Sequence, residues 1–239
     1  LVQYQPTSFS IVPYMLDLDP WTSAARERLQ GDTEALGYLK SRNILPNQID
    51  RFSIGFVKRF HELKGTTDYI LKWNQTFCSG KFPSTNKLIF PHHDDNGKVM
   101  SFSTRSLNNK FYSHFIDEYA SFKGAIWGWK PALEHMWRTK HVFITEGIFD
   151  LLSLAHIRPD SVCTLTRTLT DGQFRRICRY VDKVTLAFDM DDPGRKGCGY
   201  WAEQFSKAGK STSILEYPFK DLNEWWVADP KNMIMKLRL

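Results

Sequence analysis

Two short stretches gather acidic side chains at spacings suited to phosphate chemistry. In Val184 to Gly197, VTLAFDMDDPGRKG, the apolar run Val184 to Phe188 reads as a buried parallel strand that delivers Asp189 at its carboxyl end. Asp191 follows two residues later, and in extended backbone that spacing puts both carboxylates on one side, converging on one point. In His141 to Leu152, HVFITEGIFDLL, a strand over Val142 to Thr145 ends at Glu146-Gly147. Ile148, Leu151, Leu152 and Ala155 then follow helical spacing, with Asp150 one turn past Glu146 on the opening face. Carboxylates at the ends of neighbouring parallel strands cluster at the ligand-binding edge of an α/β sheet. Three or four of them repel one another unless hard cations neutralise them, which points to a Mg²⁺ or Mn²⁺ site. An acid at a helix start also serves simply as a cap. A D-x-D followed by Gly194-Arg195-Lys196, coming after E-G-x-x-D, is the more specific pattern.

The elements that must position these acids are regular from Lys140 onward. Strand Val142 to Thr145 leads to a helix over Ile148 to His156, and strand Ser161 to Leu165 leads to a helix opened by Thr170-x-x-Gln173, a capping box. The Asp189 strand leads to a helix from about Gly194 to Ala208, closed by Gly209, and a last strand covers Ser213 to Tyr217. Four strands with intervening helices predict a parallel sheet of the α/β class. Asp221, with Asn223 and Glu224, falls just past the last strand.

The first half is less regular. Leu1 to Asp19 reads as an irregular lead-in, and Asp19-Pro20 supplies a cap and first-turn proline for a helix through about Leu29. A second helix covers Asp32 to Lys40, a short one passes through Ile49-Asp50 after a turn at Pro46-Asn47, and a strand covers Phe52 to Val57. Phe60 to Phe82 carries no clear period. Lys87 to His93 and Lys98 to Ser106 read as a hairpin turning at Asp94-Asp95-Asn96-Gly97, with Arg105 emerging from the more polar face. Pro131 to Arg138 reads as a linking helix beside Trp127, Trp129 and Trp137. The expected division is therefore an α+β unit over residues 1–138 and an α/β unit over residues 139–239.

Composition bounds the function classes. The chain has 239 residues, 42% hydrophobic and 24% charged, which is ordinary for a soluble globular protein. A formal charge of +6, with acids concentrated in the motifs above, suits a nucleic-acid enzyme whose metals hold the reacting phosphate while Lys and Arg hold the flanking backbone. Cys78, Cys163, Cys178 and Cys198 are widely spaced, which argues against a zinc ribbon or a disulfide scaffold and suits a reducing cytoplasm. No apolar run approaches membrane-spanning length, and there is no Walker-type loop. Starting at Leu1 rather than Met, the chain reads as a piece of something longer.

Glu146-Gly147 with Asp150, then Asp189-x-Asp191 with Gly194-Arg195-Lys196, resemble the Toprim domain shared by bacterial-type primases, topoisomerases and some nucleases. Lys87-Leu88-Ile89-Phe90-Pro91, Gly97-Lys98-Val99, Phe102, Arg105, Lys110-Phe111 and Phe122-Lys123-Gly124 are similar, in order and spacing, to the amino-terminal half of the bacterial-type primase core. Ser113-His114 departs from that family's usual Asn-Ser. The resemblance implies RNA primer synthesis on single-stranded DNA from ribonucleoside triphosphates, with two or more Mg²⁺ or Mn²⁺ ions and no zinc in this segment. It implies metal binding by Glu146, Asp150, Asp189, Asp191 and Asp221, with Glu146 either a ligand or the acceptor of the hydroxyl proton, and Asp221 either a ligand or a cap. Arg105, Lys110, Lys123, Arg195 and Lys196 would hold template or nucleotide. A cytoplasmic location and a replicative helicase as partner follow from the same likeness. The alternatives are a Toprim nuclease that cuts with the same acids and a primase-like domain that only binds DNA or loads a helicase.

Overall fold

The computed structural model describes residues 17–78, 85–109, 112–115, 125–166 and 168–238. One four-stranded sheet is antiparallel, in the order β1 (Gly55–Arg59), β2 (Thr85–His93), β3 (Val99–Ser106) and β4 (Tyr112–His114). The β2–β3 turn follows the Asp-Asn-Gly signal: Gly97 takes φ 93°, and Asp94 Oδ1 accepts from the N–H groups of Asn96 and Lys98, both at 2.9 Å. Helices α1 (Asp19–Gln30), α2 (Thr33–Ser41), α3 (Pro46–Arg51) and α4 (Asp68–Cys78) surround this sheet.

The second sheet is parallel throughout, in the order β6 (Ser161–Cys163), β5 (His141–Thr145), β7 (Lys183–Leu186) and β8 (Ser211–Ile214). Its crossovers run through α6 (Ile148–Ala155), α7 (Asp171–Tyr180) and α8 (Asp192–Lys207), while α5 (Trp129–Thr139) precedes it and α9 (Leu222–Ala228) and α10 (Pro230–Leu237) follow. Chain order therefore reverses between β5 and its neighbours β6 and β7, and a parallel sheet binds ligands at the carboxyl ends of its strands beside such a switch. The α/β class with a four-stranded parallel sheet is as expected.

Helix α6 is the joint of the molecule. All eight of its residues are buried, and Ile148, Phe149, Leu151 and Leu152 share one core with Leu39, Phe52, Phe56 and Phe90 of the first half. At roughly 1.5–3 kcal/mol for each large apolar side chain fully buried, this packing fixes the turn at Glu146-Gly147 firmly. Polar rivets add to it: Gln48 Nε2 donates to Leu152 O, and Arg51 Nη2 donates to Pro131 O at 3.0 Å and Pro159 O at 3.1 Å. Helix α5 packs Trp129, Ala132 and Met136 into the core of the second sheet, with Val142, Ile144 and Val162.

Several boundaries differ from expectation for local reasons. Asp19 does not cap α1; the cap position is Leu18, and Asp19 Oδ1 instead accepts from Val99 N at 3.1 Å, pinning the helix to β3. The strand expected over Phe52 to Val57 begins only at Gly55, because Phe52-Ser53 close α3 with Ser53 at φ 53°. Gly55 lies so near α1 that an added Cβ would stand 2.7 Å from Ala25 Cβ and 2.9 Å from its carbonyl carbon. The region without a clear period contains α4, which buries Ile70 and Trp73.

Candidate metal and nucleic-acid site

The acids sit on turns at one edge of the parallel sheet. Glu146 and Gly147 follow β5 directly, and Asp150 lies in the first turn of α6. The Asp150 side chain is buried, and Asn223 N donates to its Oδ1 at 3.0 Å. Burial pushes its carboxyl up to about 7, and the charges of Asp221, Asp189 and Glu146 add to the rise. A Cβ on Gly147 would overlap Asp150 Oδ2, so glycine is what lets that carboxylate fold back over the turn.

Beyond β7 the chain runs on through Ala187 and Phe188 to Asp189, with Ala187 N still bonded to Ile144 O at 2.8 Å. Burial raises the Asp189 carboxyl to about 6, reinforced by Asp221 and Asp191 and opposed by Lys220. Asp191 caps α8, its Oδ1 accepting from Gly194 N at 2.9 Å, and Asp221 caps α9, its Oδ1 accepting from Glu224 N at 2.7 Å. Met190 N donates to Lys220 O at 2.8 Å, which ties the Asp189 turn to the Asp221 turn. Beneath them Tyr217 OH donates to Phe188 O at 2.8 Å; burial and then the charges of Asp150, Asp189 and Asp221 drive its phenol pKa far up.

Asp189 and Asp191 lie near enough for the Asp191 charge to add to the rise of the Asp189 carboxyl. Asp191 caps α8 with extended backbone, φ −88° and ψ 169°, and among the described residues no three His, Cys, Asp or Glu side chains gather tightly enough to hold a metal ion alone. The donor set nonetheless fits a hard cation. Asp150, Asp191 and Asp221 each commit Oδ1 to a backbone N–H, while mutual repulsion on Asp150 and Asp189 is what a divalent ion would relieve. Mg²⁺ characteristically takes one or two carboxylates and completes its shell with substrate phosphates and water.

The basic residues divide. Lys110 and Lys123 lie outside the described residues. Lys196 is exposed on α8, and Arg195 is exposed with its Nε donating back to Met190 O at 3.2 Å. Arg105 is buried rather than emerging into solvent: its guanidinium stands 4.6 Å over Tyr112 and 5.2 Å over Phe149, and its Nε donates to Tyr38 OH at 2.9 Å. Every residue of β3 but Met100 is buried, so the face that reads as polar is covered and the Arg105 head is sandwiched by aromatics. Arg42, which is not among the expected template-binding or metal-binding residues, donates from Nη1 to Asn223 Oδ1 at 3.0 Å across 181 positions. No local pattern carries that signal.

Family comparison agrees with this geometry. Residues 24–120 match the model for the DNA primase catalytic core, N-terminal domain, and residues 143–226 match a Toprim-like model. The DNA primase of Borreliella burgdorferi is 30% identical over 70% of this chain and 35% of its own, and that of Geobacillus stearothermophilus is 27% identical over 77% and 33%. This chain thus spans about a third of the length of those curated relatives. Among solved structures, the zinc-binding and RNA polymerase domains of Aquifex aeolicus primase superpose with a TM-score of 0.77 at 23% identity, covering 93% of this chain and 59% of that one. A DnaG primase catalytic domain bound to single-stranded DNA gives 0.74 at 20% identity, covering 92% and 75%. Two adjoining family matches, on the two sheets that flank one carboxylate edge, place the chain in the DnaG-type DNA primase family, with the amino-terminal part of the catalytic core joined to a Toprim domain.

Proposed function

We propose that this chain is the catalytic core of a primase, building short RNA primers from ribonucleoside triphosphates on single-stranded DNA. The observation that carries the reading is the tie between two acidic turns: Met190 N bonded to Lys220 O holds Asp189 and Asp221 at one edge, where the charge of Asp221 adds to the cost that burial sets on ionising Asp189. Such an edge suits nucleotidyl transfer, in which catalysis is chiefly positioning and charge neutralisation.

When bound there, Mg²⁺ or Mn²⁺ supplies Lewis-acid stabilisation of the phosphates. Asp189 and Asp191 are the residues that would hold it, with Glu146 and Asp221 on the flanking turns and Asp150 behind them. Glu146 follows β5 at the same edge and would act as a further ligand or accept the proton of the primer 3′-hydroxyl. Lys196 and Arg195 bring positive charge to the opening of α8, where an incoming phosphate is also favoured by the helix N-terminus. Arg105 supports the wall between the two sheets from within its aromatic stack, and Lys110 and Lys123 are the candidates for gripping the strand backbone. The two-unit organisation, 1–138 and 139–239, would set the template between the sheets. A replicative helicase as partner and action in the cytoplasm accompany this reading; among the described residues no helix is long and apolar enough to cross a membrane.

The test is incorporation of labelled nucleotides on single-stranded DNA with Mg²⁺ or Mn²⁺, with and without an annealed RNA primer, beside an Asp189→Asn, Asp191→Asn double variant. Short products that vanish in the variant are expected. Undiminished synthesis by the variant, or degradation of the template in place of synthesis, overturns the reading.

A further inference from the structure

A cleft of about 590 Å³ opens between α8 and the start of α7, bounded by Thr168, Asp171, Asp192, Lys196, Tyr200 and Trp201. Its size falls in the range of small-ligand sites. Asp192, Lys196 and Tyr200 are spaced by four, so they form one stripe along α8. With a rise of 1.5 Å per residue, Lys196 lies roughly 7 Å and Tyr200 roughly 13 Å along the helix from Asp191. The stripe therefore leads directly away from the carboxylate edge.

Tyr200 is 55% exposed, so much of its ring is open to solvent. It is not loose: its ring stands edge-on to Trp201 at 5.0 Å and 84°, and Trp201 is itself packed on Phe174 and Phe205. A braced ring with open surface is a stacking platform. Lys196, one turn nearer the carboxylates, offers a mobile positive charge, and Asp171 offers an acceptor for an exocyclic amino group.

We propose that this cleft seats one nucleotide unit, its base stacked on Tyr200 and its phosphate at Lys196, adjoining the carboxylate edge. The inference rests on the primase reading of that edge and adds to it a place for a base. The unit belongs either to a single strand or to a free nucleoside triphosphate, and both present the same chemistry. A basic peptide is the competing occupant, since Asp171 and Asp192 also line the cleft.

Binding measured on the full chain without divalent metal separates these cases, and separates them from any failure of synthesis. The probes are a fluorescent oligodeoxycytidylate, an abasic oligomer of equal length, ATP, and an oligo-arginine peptide. Tyr200→Ala should weaken the oligodeoxycytidylate or ATP about tenfold, the scale of one lost base stack, while Tyr200→Phe keeps affinity and the abasic oligomer is unaffected. Lys196→Gln should lower the salt slope of strand binding by about 0.7. Loss with the oligomer alone assigns the cleft to a strand, and loss with ATP alone assigns it to the free nucleotide. Wild-type binding of both by Tyr200→Ala, or loss confined to the peptide, overturns the proposal.

Discussion

Arg42 Nη1 donates to Asn223 Oδ1 at 3.0 Å, while the backbone N–H of Asn223 donates to Asp150 Oδ1 at 3.0 Å. The first residue ends α2 on the antiparallel half, and the third lies in the carboxylate cluster of the parallel half. Asn223 closes the junction further, its Nδ2 donating to Arg42 O and Ser153 Oγ, both at 3.0 Å. Removing that side chain takes a partner from the half-buried Arg42 on one side and from the buried Ser153 on the other. Asn223→Ala should cost about 1–3 kcal/mol in urea unfolding, and a double cycle with Arg42→Met should show coupling of roughly 1 kcal/mol. Strict additivity would mean that the two halves are not joined through this contact.

Asp150 should make the metal-free protein less stable as pH rises. Its carboxyl is raised to about 7, burial leading, whereas an unfolded aspartate titrates near about 3.9. Between those values the folded state holds a proton that the unfolded state has released. Stability is then fully present below about pH 4, is lost as pH climbs to about 7, and is flat beyond that for this group. Asp189, raised to about 6, bends the same way. Thermal unfolding in chelator across this window should fall with pH, and Asp150→Asn should flatten most of the slope. Mg²⁺ added near pH 8 should restore stability, because it binds the folded edge alone.

Arg105 should behave as a packing residue. Its guanidinium faces Tyr112 and Phe149 and bonds Tyr38, so a lysine cannot reproduce the planar stack and the Nε bond together. Arg105→Lys should lose about 1–2 kcal/mol of stability. The salt slope of single-strand binding, measured by anisotropy, should stay unchanged; a fall of about 0.7 would show a direct phosphate contact instead.

What the sequence discloses depends on whether the deciding contact is local. The alternation of strand and helix after Lys140 was legible because each element carries its own signal. The Thr170 capping box is an instance, with Gln173 N bonded to Thr170 Oγ1 at 3.3 Å and Thr170 N to Gln173 Oε1 at 2.9 Å. That Glu146 follows a strand and Asp150 opens a helix was legible for the same reason. The inward turn of Arg105 and the bridge from Arg42 to Asn223 were not, because both depend on aromatic or polar partners distant in sequence. Asp19 shows the competition between the two kinds of contact. Its short-range role as a cap is outweighed by a backbone donor 80 positions away.

Two glycines of α8 should respond oppositely to the same substitution. A Cβ on Gly194 would collide with the carbonyl oxygen of Asp189 and stand 3.2 Å from Asp189 N, so the helix start and the site turn cannot both keep their places. Gly199, on the same helix, has nothing within 4 Å of where its Cβ would be. Gly199→Ala should therefore stabilise by about 0.5–1 kcal/mol through helix propensity alone. Gly194→Ala pays the same propensity gain back against a backbone clash and should be destabilised by about 1–3 kcal/mol. Because the displaced backbone carries Asp189, nucleotide incorporation should fall more steeply in Gly194→Ala than unfolded protein can explain. The check compares urea midpoints and incorporation rates of both variants under conditions where each is fully folded. Equal stability and equal rates would mean that the close approach of α8 to Asp189 does not set the geometry of the edge.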